Sequence, residues 1–172
     1  PATQKIIDDI RAKVPGVVLR TTMIVGHPGE DRREFEKLLA FVEKNRIERL
    51  GAFTYSEEEG TFGAANFKDS VRESTKQKRY EELMELQSGI SFDCNNARIG
   101  SEERVIVDSF TDGVFVARSQ YESPEVDGEI LVGKESFYAK YGIDALPESL
   151  IGSFARVRIV GANEYDLIAE FI

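Results

Sequence analysis

Apolar positions in the first half of the chain recur with a helical period, then in short unbroken runs, then helically again. Ile6, Ile7 and Ile10 are spaced for one helix over residues 3–13, which Pro15-Gly16 ends. Residues 17–25 predict a strand whose second half, Met23, Ile24 and Val25, is apolar on both faces, the pattern of a parallel sheet with helices on both sides. Gly26 stops the run, His27, Pro28 and Gly29 form a tight turn, and Glu30 and Asp31 suit a helix start. Phe35, Leu38, Leu39 and Val42 then follow the stripe of an amphipathic helix over residues 31–45, and residues 49–55 make a second strand. Two strand-to-loop units in parallel order are βα units. Residues 56–68 read as irregular, Ser70 to Glu73 as a capping box, and the stretch onward to Ala97 as one long helix that buries Tyr80, Leu83, Met84, Leu86 and Ile90.

From Gly100 the period changes to two. Val105 and Val107 alternate with polar neighbours, Thr111-Asp112-Gly113 signals a hairpin turn, and Val114 and Val116 resume the alternation. Further strands are expected over residues 129–132, 155–160 and 166–171. Five short strands separated by Gly, Asp, Asn or Pro predict a small closed barrel of the oligonucleotide-binding type. The domain boundary falls near residues 98–100, giving an α/β domain over residues 1–98 and an all-β domain over residues 99–172.

Charge separates the same halves. The 172 residues carry a net −9. Residues 1–98 hold 16 basic against 17 acidic side chains, a net −1, and residues 99–172 hold 6 against 14, a net −8. An acidic small barrel repels phosphate backbones and attracts basic partners; solubility alone is the other reading. No apolar stretch approaches the roughly 20 residues of a membrane span, and the first residues read as a helix and not a secretion signal, so the expected compartment is the cytoplasm. The single cysteine, Cys94, excludes an internal disulfide and cannot alone hold zinc or an iron-sulfur cluster.

Few residues stand at the spacings catalysis requires. His27 is the only histidine, with no acid or nucleophile at a telling distance along the chain, and Cys94 has Asp93 and Asn95 as neighbours, neither able to lower its pKa. Glu57, Glu58 and Glu59 are consecutive and point in different directions, as a solvated charge run does. The turn from Gly26 to Glu30 carries more, because glycine at the carboxyl end of a parallel strand lets a ligand approach the backbone; a turn that needs glycine for geometry alone is the alternative. In the second domain Arg118, Glu122, Glu125, Asp127 and Glu129 gather with Tyr121 and Pro124 around one loop, which suits a basic protein segment or a partnerless acidic surface.

Four strings resemble a known family: LRTTMIVGHPGE at residues 19–30, RLGAFTYSEEEG at 49–60, ARSQYESPEVDG at 117–128, and NEYDL at 163–167. They are similar to the radical S-adenosylmethionine methylthiotransferases. The first string is shared with the tRNA-modifying relatives, whereas FTYSEEEGT, PEVDG and NEYDL look like the branch that acts on a ribosomal protein.

The resemblance implies that residues 1–98 are the last units of a partial (βα) barrel and residues 99–172 a TRAM domain. It implies an enzyme that attaches a methylthio group to the β-carbon of an aspartate in small ribosomal subunit protein twelve, with S-adenosylmethionine and two 4Fe-4S clusters as cofactors. Carried over residue by residue, Ile24, Gly26 and Tyr55 would contact the nucleoside of the cofactor; from the acidity of the second domain, Asp108, Asp112, Glu122, Glu125 and Asp127 are the expected docking face for the basic substrate protein. The family's cysteine motifs have no counterpart here. The chain is therefore expected to be a carboxyl-terminal fragment, inactive alone, whose natural partner is the amino-terminal portion of its own chain. Two other readings stay open: an RNA-binding piece of a tRNA methylthiotransferase, which the charge of −8 opposes, and an inert interaction module. Strands cut from a barrel leave an uncovered face, so self-association or poor order near residues 1–70 is also expected.

Overall fold

A computed structural model describes residues 2–172, which divide into two compact units between Ile90 and Ser91. In the first unit helix α1 (Ala2–Lys13) precedes strand β1 (Arg20–Val25), helix α2 (Arg32–Asn45), strand β2 (Arg49–Thr54), the short helix α3 (Phe62–Asn66) and the long helix α4 (Glu73–Asn96), which continues across the division. β1 and β2 pair in parallel, Ile24 opposite Phe53. Such pairing needs a crossover, and α2 supplies it. Asp31 caps α2 by accepting the Glu34 N–H at 2.8 Å, and Arg46 ends it in the left-handed region at φ 43°.

Alternation along the two strands sorts their side chains. Val25, Leu50 and Ala52 are buried, while Thr22, Ile24, Gly51 and Phe53 are exposed on the other face, Ile24 to 57% and Phe53 to 65%. Cover on both faces, expected from the apolar run at Met23 to Val25, is thus corrected to cover on one. In α1 only Ile7 is buried; Ile6 and Ile10 face outward. Within the segment read as irregular, Thr61 caps α3 by accepting the Ala64 N–H.

α4 departs furthest from expectation. It begins at Glu73, the first helical bond running from the Lys76 N–H to the Arg72 carbonyl at 3.0 Å, so the expected Ser70 cap lies outside it, and the Glu73 carboxylate accepts from Lys76 Nζ at 2.7 Å. Its buried stripe up to Ile90 is Lys76, Arg79, Leu83, Gln87 and Ile90, so that polar side chains outnumber apolar ones, and Tyr80, Met84 and Leu86 are only half-buried.

The second unit is a closed barrel. Strands β3 (Glu102–Thr111), β4 (Val114–Arg118), β5 (Ile130–Gly133), β6 (Phe154–Ala162) and β7 (Leu167–Phe171) follow the order β3-β4-β5-β7-β6, and β3 returns to pair with β6. Only β5 and β7 run parallel. This order, with helix α5 (Lys134–Tyr141) between the third and fourth strands, is the expected oligonucleotide-binding-type barrel. Asp112 and Gly113, at φ 53° and 83°, make the two-residue turn between β3 and β4. Inward positions pack one core containing Val105, Val107, Phe115, Ile130, Val157 and Phe171. α5 and a 3-10 turn at Pro147–Leu150 were not expected; Phe137 of α5 seals the core, its ring 5.0 Å from that of Phe115. No helix among the described residues is long and apolar enough to cross a membrane.

Candidate functional site

In both units polar chemistry and accessible surface meet. In the first they do so at the carboxyl edge of β1 and β2. Strand pairing continues to that edge, where the Tyr55 N–H donates to the Val25 carbonyl at 2.8 Å. The chain then turns at Gly26, whose φ of 78° is one that L side chains rarely adopt. Space forbids a side chain there as well, since a Cβ would run into the Lys76 stem. The Gly26 N–H donates to the Glu30 carboxylate at 3.0 Å, and Arg79 Nη1 donates to the Glu30 carbonyl and carboxylate at 3.0 and 2.9 Å.

Lys76 holds the other strand end. Its Nζ donates to the Tyr55 carbonyl at 2.9 Å and to the Asp69 and Glu73 carboxylates at 2.5 and 2.7 Å. Hydrogen bonding to Asp69 and then Glu73 outweighs the cost of burial and raises the Lys76 pKa above the ordinary lysine value. On the accessible side the His27 ring meets Tyr55 edge-on at 5.0 Å and Phe67 at 5.8 Å.

The three residues expected to face a nucleoside occupy this edge in different ways. Ile24 offers an exposed apolar side chain, Gly26 is buried and offers backbone, and Tyr55 offers a half-buried ring. Phe53, Phe67, Lys76 and Arg79 belong to the same edge and were missed. The i,i+3 spacing of Lys76 and Arg79 ahead of Leu83 was the available signal, but two cations at that spacing ordinarily mark a solvent face.

In the second unit a groove of about 360 Å³ is lined by Asp108, Arg118, Glu122, Glu125, Asp127 and Glu129, among others. It gathers four of the five residues expected to dock a basic protein. Asp112 lies in the β3–β4 turn and does not line it. Glu122 also needs correction as a presented charge, because only 7% of it is exposed. Its carboxylate accepts Arg98 Nη1 at 2.6 Å, the Ser119 N–H at 2.9 Å and the Ser119 hydroxyl at 2.6 Å. Burial opposes that charge, yet the Arg98 hydrogen bond, the Arg98 charge and Ser119 together bring the Glu122 pKa below the usual carboxylate range. Glu122 therefore fixes the loop that carries Glu125 and Asp127. Arg98, shared with Glu103 at 2.7 Å, is a partner no local reading could assign.

The described residues contain no group of three or more His, Cys, Asp or Glu side chains able to hold a metal ion, and Cys94 is the only thiol. A 4Fe-4S cluster does not fit the ligands this chain supplies. The carboxyl edge of the first unit presents apolar and aromatic side chains instead, among them Ile24, Phe53 and Phe67.

Residues 99–172 match the TRAM domain family. Over 170 residues, 99% of the chain, the sequence is 44% identical to ribosomal protein uS12 methylthiotransferase RimO of Bacteroides fragilis and 46% identical to that of Porphyromonas gingivalis. It is 41% identical over its whole length to the protein of the same name from Cytophaga hutchinsonii. The chain spans 37% of the length of each. The chain is thus similar, over essentially its whole length and across both units, to proteins named ribosomal protein uS12 methylthiotransferase RimO.

Proposed function

We propose that this chain is part of an enzyme that methylthiolates the β-carbon of an aspartate in ribosomal protein uS12, a basic substrate. The observation that carries this reading is the identity of 41–46% over essentially the whole chain to relatives named ribosomal protein uS12 methylthiotransferase. In the first unit, residues of the carboxyl edge would hold S-adenosylmethionine as the last βα units of a partial radical S-adenosylmethionine barrel: Ile24 as an apolar wall, the Gly26 backbone as the point of close approach, and the Tyr55 ring beside the nucleoside. When bound, that cofactor supplies the methyl group and the radical chemistry. The residues here place it and exclude water; the clusters would be held by residues outside this chain.

In the second unit the acidic groove would receive the basic protein. Asp108, Glu125 and Asp127 present the charge, with Asp112 on the neighbouring turn, and Glu122 holds the loop from below. The experiment joins two measurements. The longer protein that contains this chain, given reductant, S-adenosylmethionine and uS12, should add one methylthio group detectable by mass spectrometry, while the 172-residue chain alone should add none. Turnover by the chain alone would overturn the division of labour. Binding of uS12 to the chain should weaken as salt rises, and again when Asp108, Glu125 and Asp127 are neutralised together. Affinity indifferent to both would remove the docking role.

A further inference from the structure

On the outer wall of the barrel a second groove, about 540 Å³, adjoins the acidic one and has a different chemistry. The strand register builds it. Ile106 of β3 stands opposite Arg118 of β4 and opposite Phe154 of β6, so these three form a row across three strands on one face. Arg104 lies two positions along β3 on the same face. Tyr121 and Gln120 complete the wall, and Phe154 is 61% exposed.

The donors of the two arginines carry the inference. The Arg104 guanidinium lies 3.8 Å above the Phe154 ring and makes no hydrogen bond to another described residue. Arg118 gives Nε to Asp108 at 2.9 Å and leaves its two terminal nitrogens without an acceptor among the described residues. A planar, stacked, unsatisfied guanidinium beside an apolar floor is built for a carboxylate on a short aliphatic stem. Arg118 lines both grooves, so what enters one lies next to what enters the other.

We propose that the two grooves form one bipartite peptide-binding surface, in which the acidic groove takes a basic side chain and the Arg104–Phe154 groove takes an acidic side chain a few residues away on the same extended segment. This rests on the docking reading of the acidic groove and adds the second half of the recognised pattern. Charge selects a polypeptide over RNA. Glu102 and Glu103 border the Arg104 groove and five carboxylates border its neighbour, so a run of phosphates would meet repulsion along its whole length, whereas a mixed-charge peptide places its one anion beside Arg104 and Arg118.

The test uses the 172-residue chain and short fluorescent peptides read by anisotropy. One peptide carries arginine and glutamate a few residues apart, a second has glutamine in place of the glutamate, and a single-stranded RNA oligonucleotide serves as the third probe. The mixed peptide is expected to bind roughly fivefold tighter than the glutamine peptide, the effect of one well-placed but solvent-accessible arginine–carboxylate pair. That gain should disappear in Arg104→Gln, an exposed position whose folding is checked by circular dichroism. Equal affinity for the two peptides, or a gain that survives Arg104→Gln, overturns the proposal while binding of the glutamine peptide keeps the acidic groove as a docking site. Failure of both peptides to bind overturns the two readings together. RNA binding tighter than the mixed peptide also overturns this one.

Discussion

The barrel and the two-stranded sheet solve the same problem, hiding one apolar side of a strand, with opposite completeness. Every barrel strand pairs on both sides, and along β6 and β7 burial alternates residue by residue, with Val157, Ile159, Leu167, Ala169 and Phe171 inward. Among the described residues β1 and β2 pair only with each other, bury Val25, Leu50 and Ala52, and leave Ile24 and Phe53 in water. A closed sheet has no free edge and can spend its outer wall on charge and grooves, whereas an open sheet with an apolar outer face is incomplete until something lies on it. The same contrast marks the buried ions. In the barrel Arg98 and Glu122 secure a loop beside a core built without them, while in the first unit Lys76 and Arg79 are part of the buried stripe itself.

The strongest way to break this comparison is to remove core from the closed unit. Phe115 is fully buried and meets Phe110, Phe137 and Phe171 at ring separations of 4.5–5.2 Å. Phe115→Ala should cost about 3–5 kcal/mol in urea unfolding monitored on the barrel. A loss below about 1 kcal/mol would mean that the barrel core is not the continuous body described, because a cavity of that size cannot be filled for so little.

Next in size is Lys76→Met, which keeps the stem under Gly26 and removes the charge. Asp69 and the Tyr55 carbonyl then lose their donor, and the expected cost is roughly 2–3 kcal/mol, under the usual range for a broken buried pair because Glu73 stays mostly in water. The raised Lys76 pKa fixes the pH signature. Its contribution is complete below the ordinary lysine value of 10.5 and is lost only as pH climbs through the higher folded value. The difference between wild type and variant should therefore be flat through neutrality and shrink in strong alkali. A difference that already falls between pH 6 and 9 would assign the effect to another group.

Glu122→Gln is the barrel's counterpart, with an expected loss of about 1–2 kcal/mol at neutral pH because the amide still accepts from Ser119 but leaves Arg98 less compensated. Here the sign reverses. A carboxylate with a lowered pKa contributes above its ordinary value of 4.5 and loses that contribution as pH falls through the folded value. Wild type and variant should converge in acid, and a gap that persists at low pH would show that geometry and not charge holds the loop.

How much of this was legible in the sequence depended on whether the signal was local. The alternation at Val105 and Val107 and the Asp112-Gly113 turn are written within a few residues, and the barrel follows from them. α5 was not legible, because KESFYAKY has no helical stripe and is held by Phe137 and Tyr141 meeting rings such as Phe115 and Phe171 that are distant in sequence. For the same reason Glu122 read as one more surface acid: its partner Arg98 is 24 residues away. The carboxyl edge of the two-stranded sheet was legible at Ile24, Gly26 and Tyr55, where glycine and strand end mark it, and illegible at Lys76, whose burial comes from Gly26 and Asp69 on other segments.

The smallest expected change in stability is also the one that separates the two units most cleanly. Ile24 and Phe53 already face water, so replacing both by serine should alter urea stability by no more than about 0.5 kcal/mol. Their effect belongs to association. An uncovered apolar face opposite no partner strand invites a second copy, and the chain should elute from size exclusion at a volume that depends on its concentration, with the dependence abolished in the double variant. A matched pair of exposed apolar replacements on the barrel, Ile143→Ser with Leu146→Ser, should leave that dependence intact, since those side chains project from a loop beside a core that is closed without them. If the barrel pair abolished association and the sheet pair did not, the incomplete unit would be the barrel, and the contrast between a finished and an unfinished sheet would have to be reversed.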